Sequence, residues 1–187
     1  QALEEQEGKA QDERAQGGKA QGVKAGKEEA LTVFAFHGGE VCYERELKGE
    51  TQFFESVAKL SKRENKLVVC GVLTNTHGHR RKSAVVAENG RILGVSDALG
   101  GIDGEVHSGA YLRVYETKIG RVGVAVAEDI YDVATVKTLA LCGCDFIVCT
   151  FEEVQDSLCS VLLRAYAFIS GVPVFFCGRG YSMIADV

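Results

Sequence analysis

An α/β fold with a parallel βαβ unit at its centre is predicted from three neighbouring stretches of the chain. Residues 119–126, Ile-Gly-Arg-Val-Gly-Val-Ala-Val, are an apolar, β-branched run suited to a strand covered on both faces. Residues 132–143 carry Asp132 as a helix cap, then Val133, Val136, Leu139 and Ala140 at helical spacing, and Gly143 where a helix stops. Residues 144–149, Cys-Asp-Phe-Ile-Val-Cys, resume the strand pattern. Ala127, Glu128 and Asp129 therefore fall on the corner after the first strand, where such folds often carry their chemistry.

A chain of 187 residues, 46% of them hydrophobic, suits one domain with a substantial core. Its formal charge of −5 argues against a general nucleic-acid or anionic-membrane binder, whose affinity comes from clustered Lys and Arg. No apolar run approaches the roughly 18 residues of a membrane span, and the first residues are too polar for a signal peptide. The seven cysteines are an odd number, and Cys70, Cys144, Cys149 and Cys177 lie in apolar strand-like runs. They read as reduced, buried thiols of a cytoplasmic protein.

Taken in order, residues 1–28 are a low-complexity Gln/Ala/Gly/Lys/Glu segment without an aromatic residue, expected to be disordered or partly helical. The folded domain is expected over residues 29–187. Residues 30–36, Ala-Leu-Thr-Val-Phe-Ala-Phe, read as its first strand. Phe53, Phe54, Val57, Ala58 and Leu60 give residues 50–63 one apolar helical face. Residues 66–73 are the next strand, and residues 74–82, polar throughout, read as a solvated break ending in Arg80-Arg81-Lys82. Residues 83–87 and 91–95 form a hairpin around Asn89-Gly90, the strongest short turn signal in the chain. Residues 99–109 are a Gly-rich loop without the following helix of a phosphate loop. A strand over 111–115 leads into the central unit, residues 151–156 cross the mouth of the expected pocket, Leu158–Ser170 has a helical apolar face, and 171–177 and 182–186 are final strands.

The run Gly120-Arg-Val-Gly-Val-Ala-Val-Ala-Glu-Asp-Ile-Tyr-Asp132, followed by Lys137-Thr-Leu-Ala-Leu-Cys-Gly-Cys-Asp145, resembles the nitrilase superfamily of carbon-nitrogen hydrolases. The resemblance extends over about residues 29–187 and implies a nitrilase-like α-β-β-α sandwich, shortened at the C-terminus. Members carry a Glu-Lys-Cys triad in which the thiol attacks a nitrile or amide carbon, the Glu takes its proton and the Lys holds the oxyanion. At those positions this chain reads Phe36, Ala98 and Ala127. The resemblance thus predicts the fold while the residues argue against the reaction.

What remains for a pocket is Glu128, Asp129, His107 and Glu40. Asp129 is expected to tie the corner to nearby amides. Glu128, at a strand end facing a cleft, is either exposed or positioned to bind a cation or an amine. His107 is a general-base candidate, and Glu40 reaches the family's Glu position only if the loop slides by about four residues. His77 and His79 have the spacing of a metal clasp but no third identifiable ligand, and Cys142 and Cys144 are expected to pack. No metal and no cofactor are expected. The leading expectation is a non-catalytic ligand-binding or assembly module, a homodimer or higher homo-oligomer with a small amide or carboxylate as ligand. Rivals are an amide hydrolase using Glu128 and Asp129, and an interaction protein using residues 1–28.

Overall fold

Strand alternation sorts the apolar residues into three cores and so stacks the molecule in layers. The structure is a computed structural model that describes residues 19–20, 24–25, 28–100, 106–153 and 158–187. It begins with β1 (Lys19–Ala20), then β2 (Lys24–Ala25) and β3 (Glu28–Glu29), which pair with each other. β4 (Leu31–Phe34) and β5 (Glu40–Cys42) lie parallel to successive parts of β6 (Leu67–Thr76). Antiparallel β7 (His79–Glu88) and β8 (Arg91–Asp97) complete a six-stranded sheet, with β1 on the outer side of β4. The second sheet runs β13-β12-β11-β10-β9, from β9 (Val114–Thr117), β10 (Gly120–Val126), β11 (Phe146–Glu153), β12 (Val174–Arg179) and β13 (Tyr181–Ala185). The central β10–β11–β12 pairings are parallel, as the βαβ reading requires.

Helices α1 (Tyr43–Leu47) and α2 (Phe53–Glu64) precede β6, α3 (Val133–Leu141) joins β10 to β11, and α4 (Leu158–Ser170) joins β11 to β12. Leu67, Val69, Ala84 and Val86 of the first sheet meet Val122, Val124, Val126, Phe146, Val148 and Phe175 of the second in one buried cluster. The opposite phase of the same strands faces helices. Val68, Val72, Val85 and Ala87 pack with Val57 of α2, and Ala125, Ile147, Cys149 and Phe176 pack with Val136, Leu139 and Leu163 of α3 and α4. The period-two pattern of residues buried on both faces therefore yields the α-β-β-α order.

Local signals behave as their chemistry dictates. Asp132 Oδ1 accepts the Ala134 amide at 2.9 Å and caps α3. Gly143 follows α3 at φ +77°, the left-handed residue that ends it. Asn89 and Gly90 have φ +51° and +80°, giving the β7–β8 hairpin its tight turn.

One expected feature is corrected. Residues 74–82 are not a solvated break: β6 runs to Thr76, β7 starts at His79, and the pairing is unbroken from Leu67↔Glu88 to Thr76↔His79. Backbone hydrogen bonds to a neighbouring strand carry these polar residues through, and His77 and Gly78, both at positive φ, turn the chain. The short β5 and α1 were not foreseen. Of residues 1–28, the described parts are short strands; the expected disordered or helical remainder lies outside the described residues.

Candidate functional site

The parallel strand β10 ends at Val126, and Ala127 turns the chain sharply at φ +50° into a 3₁₀ segment, Ala127–Tyr131. An alanine held there costs on the order of 1–2 kcal/mol, so the surrounding packing must impose the corner. Ala127 is 1% exposed, Ala98 3% and Phe36 6%, and all three belong to the intersheet cluster. Three residues from separate elements thus make an apolar floor at one end of the gap between the sheets. The Phe36 ring fits because β6 has a glycine beneath it: a Cβ on Gly71 would lie 2.5 Å from the ring. Phe36 is held there by its own amide on Phe151 O at 3.4 Å, and by the His37 amide on Gly71 O at 2.7 Å.

Beside each of those residues stands a charged one. Lys82 is backbone-bonded to Ala98, whose amide donates to Lys82 O at 2.8 Å; Glu128 follows Ala127; Glu152 follows Phe151, the partner of Phe36. Their side chains converge. Lys82 Nζ donates to Glu128 Oε1 at 2.6 Å and lies 3.4 Å from Glu152 Oε2, bridging the two sheets. Lys82 is 9% exposed. Burial pushes its ammonium toward a lower pKa, but hydrogen bonds and charge from Glu128 and Glu152 more than reverse this and hold it above its ordinary range. It remains a cation at neutral pH. From the sequence, Lys82 reads as the end of a solvated stretch and Glu152 as part of the segment crossing the pocket mouth, and neither is expected to pair with Glu128. Lys82 shares the inward phase of Ala84 and Val86 on β7, and Glu152 that of Phe146, Val148 and Thr150 on β11.

Solved structures share this architecture. Nit3 of Saccharomyces cerevisiae, a member of branch 10 of the nitrilase superfamily, matches at TM-score 0.71 and 14% identity over 84% of this chain and 69% of its own. A carbon-nitrogen hydrolase of Helicobacter pylori G27 matches at TM-score 0.67 and 20% identity over 81% of this chain and 62% of its own. A mutant of the Nesterenkonia AN1 amidase from the same superfamily matches at 0.65 and 15% identity, over 71% of this chain. The chain has the nitrilase fold. It covers 58% of that amidase. No protein-family profile and no curated protein sequence matches it.

Within the nitrilase fold the remaining candidates disperse. Asp129 is 3% exposed and accepts the Leu99 amide at 2.9 Å and the Gly100 amide at 2.7 Å, tying the corner to the start of the Gly-rich loop. Desolvation pushes its carboxyl above the usual range, against the downward pull of those amides. Asp129→Ala should therefore cost about 2 kcal/mol in denaturant unfolding by orphaning two amides, whereas Asp129→Asn, whose carbonyl can still accept both, should stay within about 1 kcal/mol of wild type. Its raised pKa means that Asp129 favours the folded state more as pH falls from that pKa toward the unfolded value near 3.8, a trend that Asp129→Asn should remove.

Glu40 stands at the start of β5, where it accepts from Asn75 at 2.7 Å and Arg80 at 2.6 Å. His107 is exposed and sits 3.2 Å from His79, with no hydrogen bond to Glu128 or Asp129 among the described residues. His77 turns instead toward Glu44, at 3.2 Å, so His77 and His79 do not form the spaced clasp. No cluster of three or more metal-ligating side chains occurs among the described residues. Cys144 is buried, but Cys142, expected to pack, is exposed at the end of α3.

Proposed function

We propose that this chain is a nitrilase-fold module that binds a small ligand or assembles with its own copies, without the superfamily's hydrolysis. The observation that supports this above the others is the methyl group of Ala127 at the corner after β10, buried with Phe36 and Ala98. Attack on an amide or nitrile carbon by the family's route needs a thiolate, a carboxylate to deprotonate it and a donor for the oxyanion. The Nesterenkonia amidase is described with acrylamide added to an active-site cysteine; a methyl group can form no such adduct. Phe36 fills the floor, which leaves the charged rim of Lys82, Glu128 and Glu152 as the place for a ligand. The resemblance suggests an amide or a carboxylate.

Self-assembly through α3 and α4 is supported by apolar residues left in solvent, including Leu141 at 78% and Phe168 at 77% exposed, together with Val133, Val161 and Ile169. A cytoplasmic setting is supported by seven free cysteines. No helix among the described residues is long and apolar enough to cross a membrane.

A second reading rests on the 2.6 Å Lys82–Glu128 contact. There Glu128 activates water directly and Lys82 stabilises the oxyanion, giving an amidase insensitive to thiol alkylation and lost in Glu128→Gln. The test is ammonia release from nitriles, simple amides and carbamoyl compounds. The expected result is no turnover by wild type, and none by Ala127→Cys, because Phe36 offers that thiol no base. Wild-type turnover abolished by Glu128→Gln would establish the second reading instead.

A further inference from the structure

The rim contains hydrogen-bonding capacity that the protein leaves unused. Glu128 Oε1 takes the Lys82 ammonium, but Glu128 Oε2 is buried and has no hydrogen-bond partner among the described residues. The same is true of Thr150 Oγ1. Thr150 is wholly buried on β11, in the inward phase between Val148 and Glu152, and pairs in register with Val126, the residue before the corner. Buried polar atoms are nearly always satisfied, and each orphan is costly. Glu128 lies two residues beyond Val126, so the two unmet groups stand on neighbouring segments at one corner.

Their chemistry selects what meets them. The Glu128 carboxylate oxygen can only accept and so requires a donor, and the Thr150 hydroxyl, which can donate or accept, can take a hydrogen from the same group. Charge points the same way: one lysine against two glutamates leaves the set at a formal −1. A carboxylate ligand supplies no donor and adds a third negative charge. An amide supplies N–H donors, but its carbonyl must compete for a lysine already shared by two carboxylates. A primary ammonium supplies three donors and the neutralising charge together.

We propose that the corner formed by Glu128, Glu152 and Thr150 binds the head of a primary amine in its protonated form. This rests on the ligand-binding reading above and puts an amine in place of the amide or carboxylate that the resemblance suggests: Glu128 Oε2 receives one ammonium hydrogen, Thr150 Oγ1 another, and Glu152, on the open side, supplies charge. Lys82 positions Glu128 and does not contact the ligand.

The test is titration of the full chain by calorimetry and thermal unfolding with n-butylammonium chloride. Comparators are tetramethylammonium chloride, which has the charge but no N–H, and butyramide and sodium butanoate, which keep the chain length. The expected result is saturable stabilisation by n-butylammonium alone, weakened about tenfold or more in Glu128→Gln, since a charge-assisted hydrogen bond becomes a neutral one. Thr150→Val should weaken it several-fold, and it provides a second readout if Glu128→Gln fails to fold. An equal response to tetramethylammonium, an unchanged response in Glu128→Gln, or no response to any of the four probes, as when water meets Oε2, would overturn the proposal. Butyramide or butanoate binding that depends on Glu128, without n-butylammonium binding, would overturn the amine while sparing the ligand-binding reading. Ammonia release from butyramide would overturn that reading itself.

Discussion

Gly71→Ala should destabilise the protein by about 3 kcal/mol, the upper end of what overpacking a core usually costs. The added methyl would lie 2.5 Å from one atom of the Phe36 ring and 2.9 Å from another, closer than carbon atoms approach without displacement. Neither side can yield easily. Gly71 lies within β6, paired residue for residue with β7 through Gly71↔Ala84, while Phe36 is 6% exposed and anchored through its own amide and that of His37. The cost should therefore be shared with Phe36 and not belong to Gly71 alone. In Phe36→Leu, which removes the flat ring, Gly71→Ala should cost about half as much, giving a coupling above 1 kcal/mol in a double-mutant cycle followed by urea unfolding. Additive costs would mean that the ring does not occupy the space over Gly71. The same pair bears on the proposed function, because a ring sealed against β6 closes the apolar floor and leaves only the charged rim for the proposed ligand.

What the sequence disclosed, and what it hid, follows from where each kind of information resides. Helix α4 is expected and found over Leu158–Ser170, and the Asp132 cap, the Gly143 stop and the Asn89-Gly90 turn all act where they were read. Each is a local signal, set by a few consecutive residues. The α-β-β-α layering was carried by resemblance, but its physical basis is visible in β7 and β10, whose odd and even residues fall in different cores. Residues 74–82 failed because polarity was taken as a sign of solvent. Arg80 and Lys82 are polar yet lie in a ladder, Arg80 meeting Glu40 of the same sheet and Lys82 meeting Glu128 of the other. Lys82 meets Glu128 from 46 residues away; no window along the chain contains both. Alternation could have given the face of Lys82, but only sheet packing supplies its partners.

Lys82→Met should cost about 3 kcal/mol, near the lower end of the range for breaking a buried ion pair, because Glu152 is about half exposed and water screens part of the loss. The methionine keeps most of the stem's packing, so the loss would come from Glu128, left with neither oxygen paired, and not from a cavity. This origin is testable by pairing: in Glu128→Gln, where the only carboxylate abandoned is the half-exposed Glu152, Lys82→Met should cost about 1 kcal/mol. A cost unchanged in that background would assign the effect to packing of the lysine stem. The pH dependence has a definite sign. Because Lys82 holds its proton more tightly folded than unfolded, its contribution is whole below its unfolded pKa, near 10.5, and is lost as pH rises through the higher folded value. The stability gap between wild type and Lys82→Met should thus be flat between pH 7 and pH 9 and narrow above about pH 10.5. A gap that opened on alkaline titration would mean that the carboxylates do not hold the ammonium, and the rim would lose the fixed charge on which both proposals for this site depend.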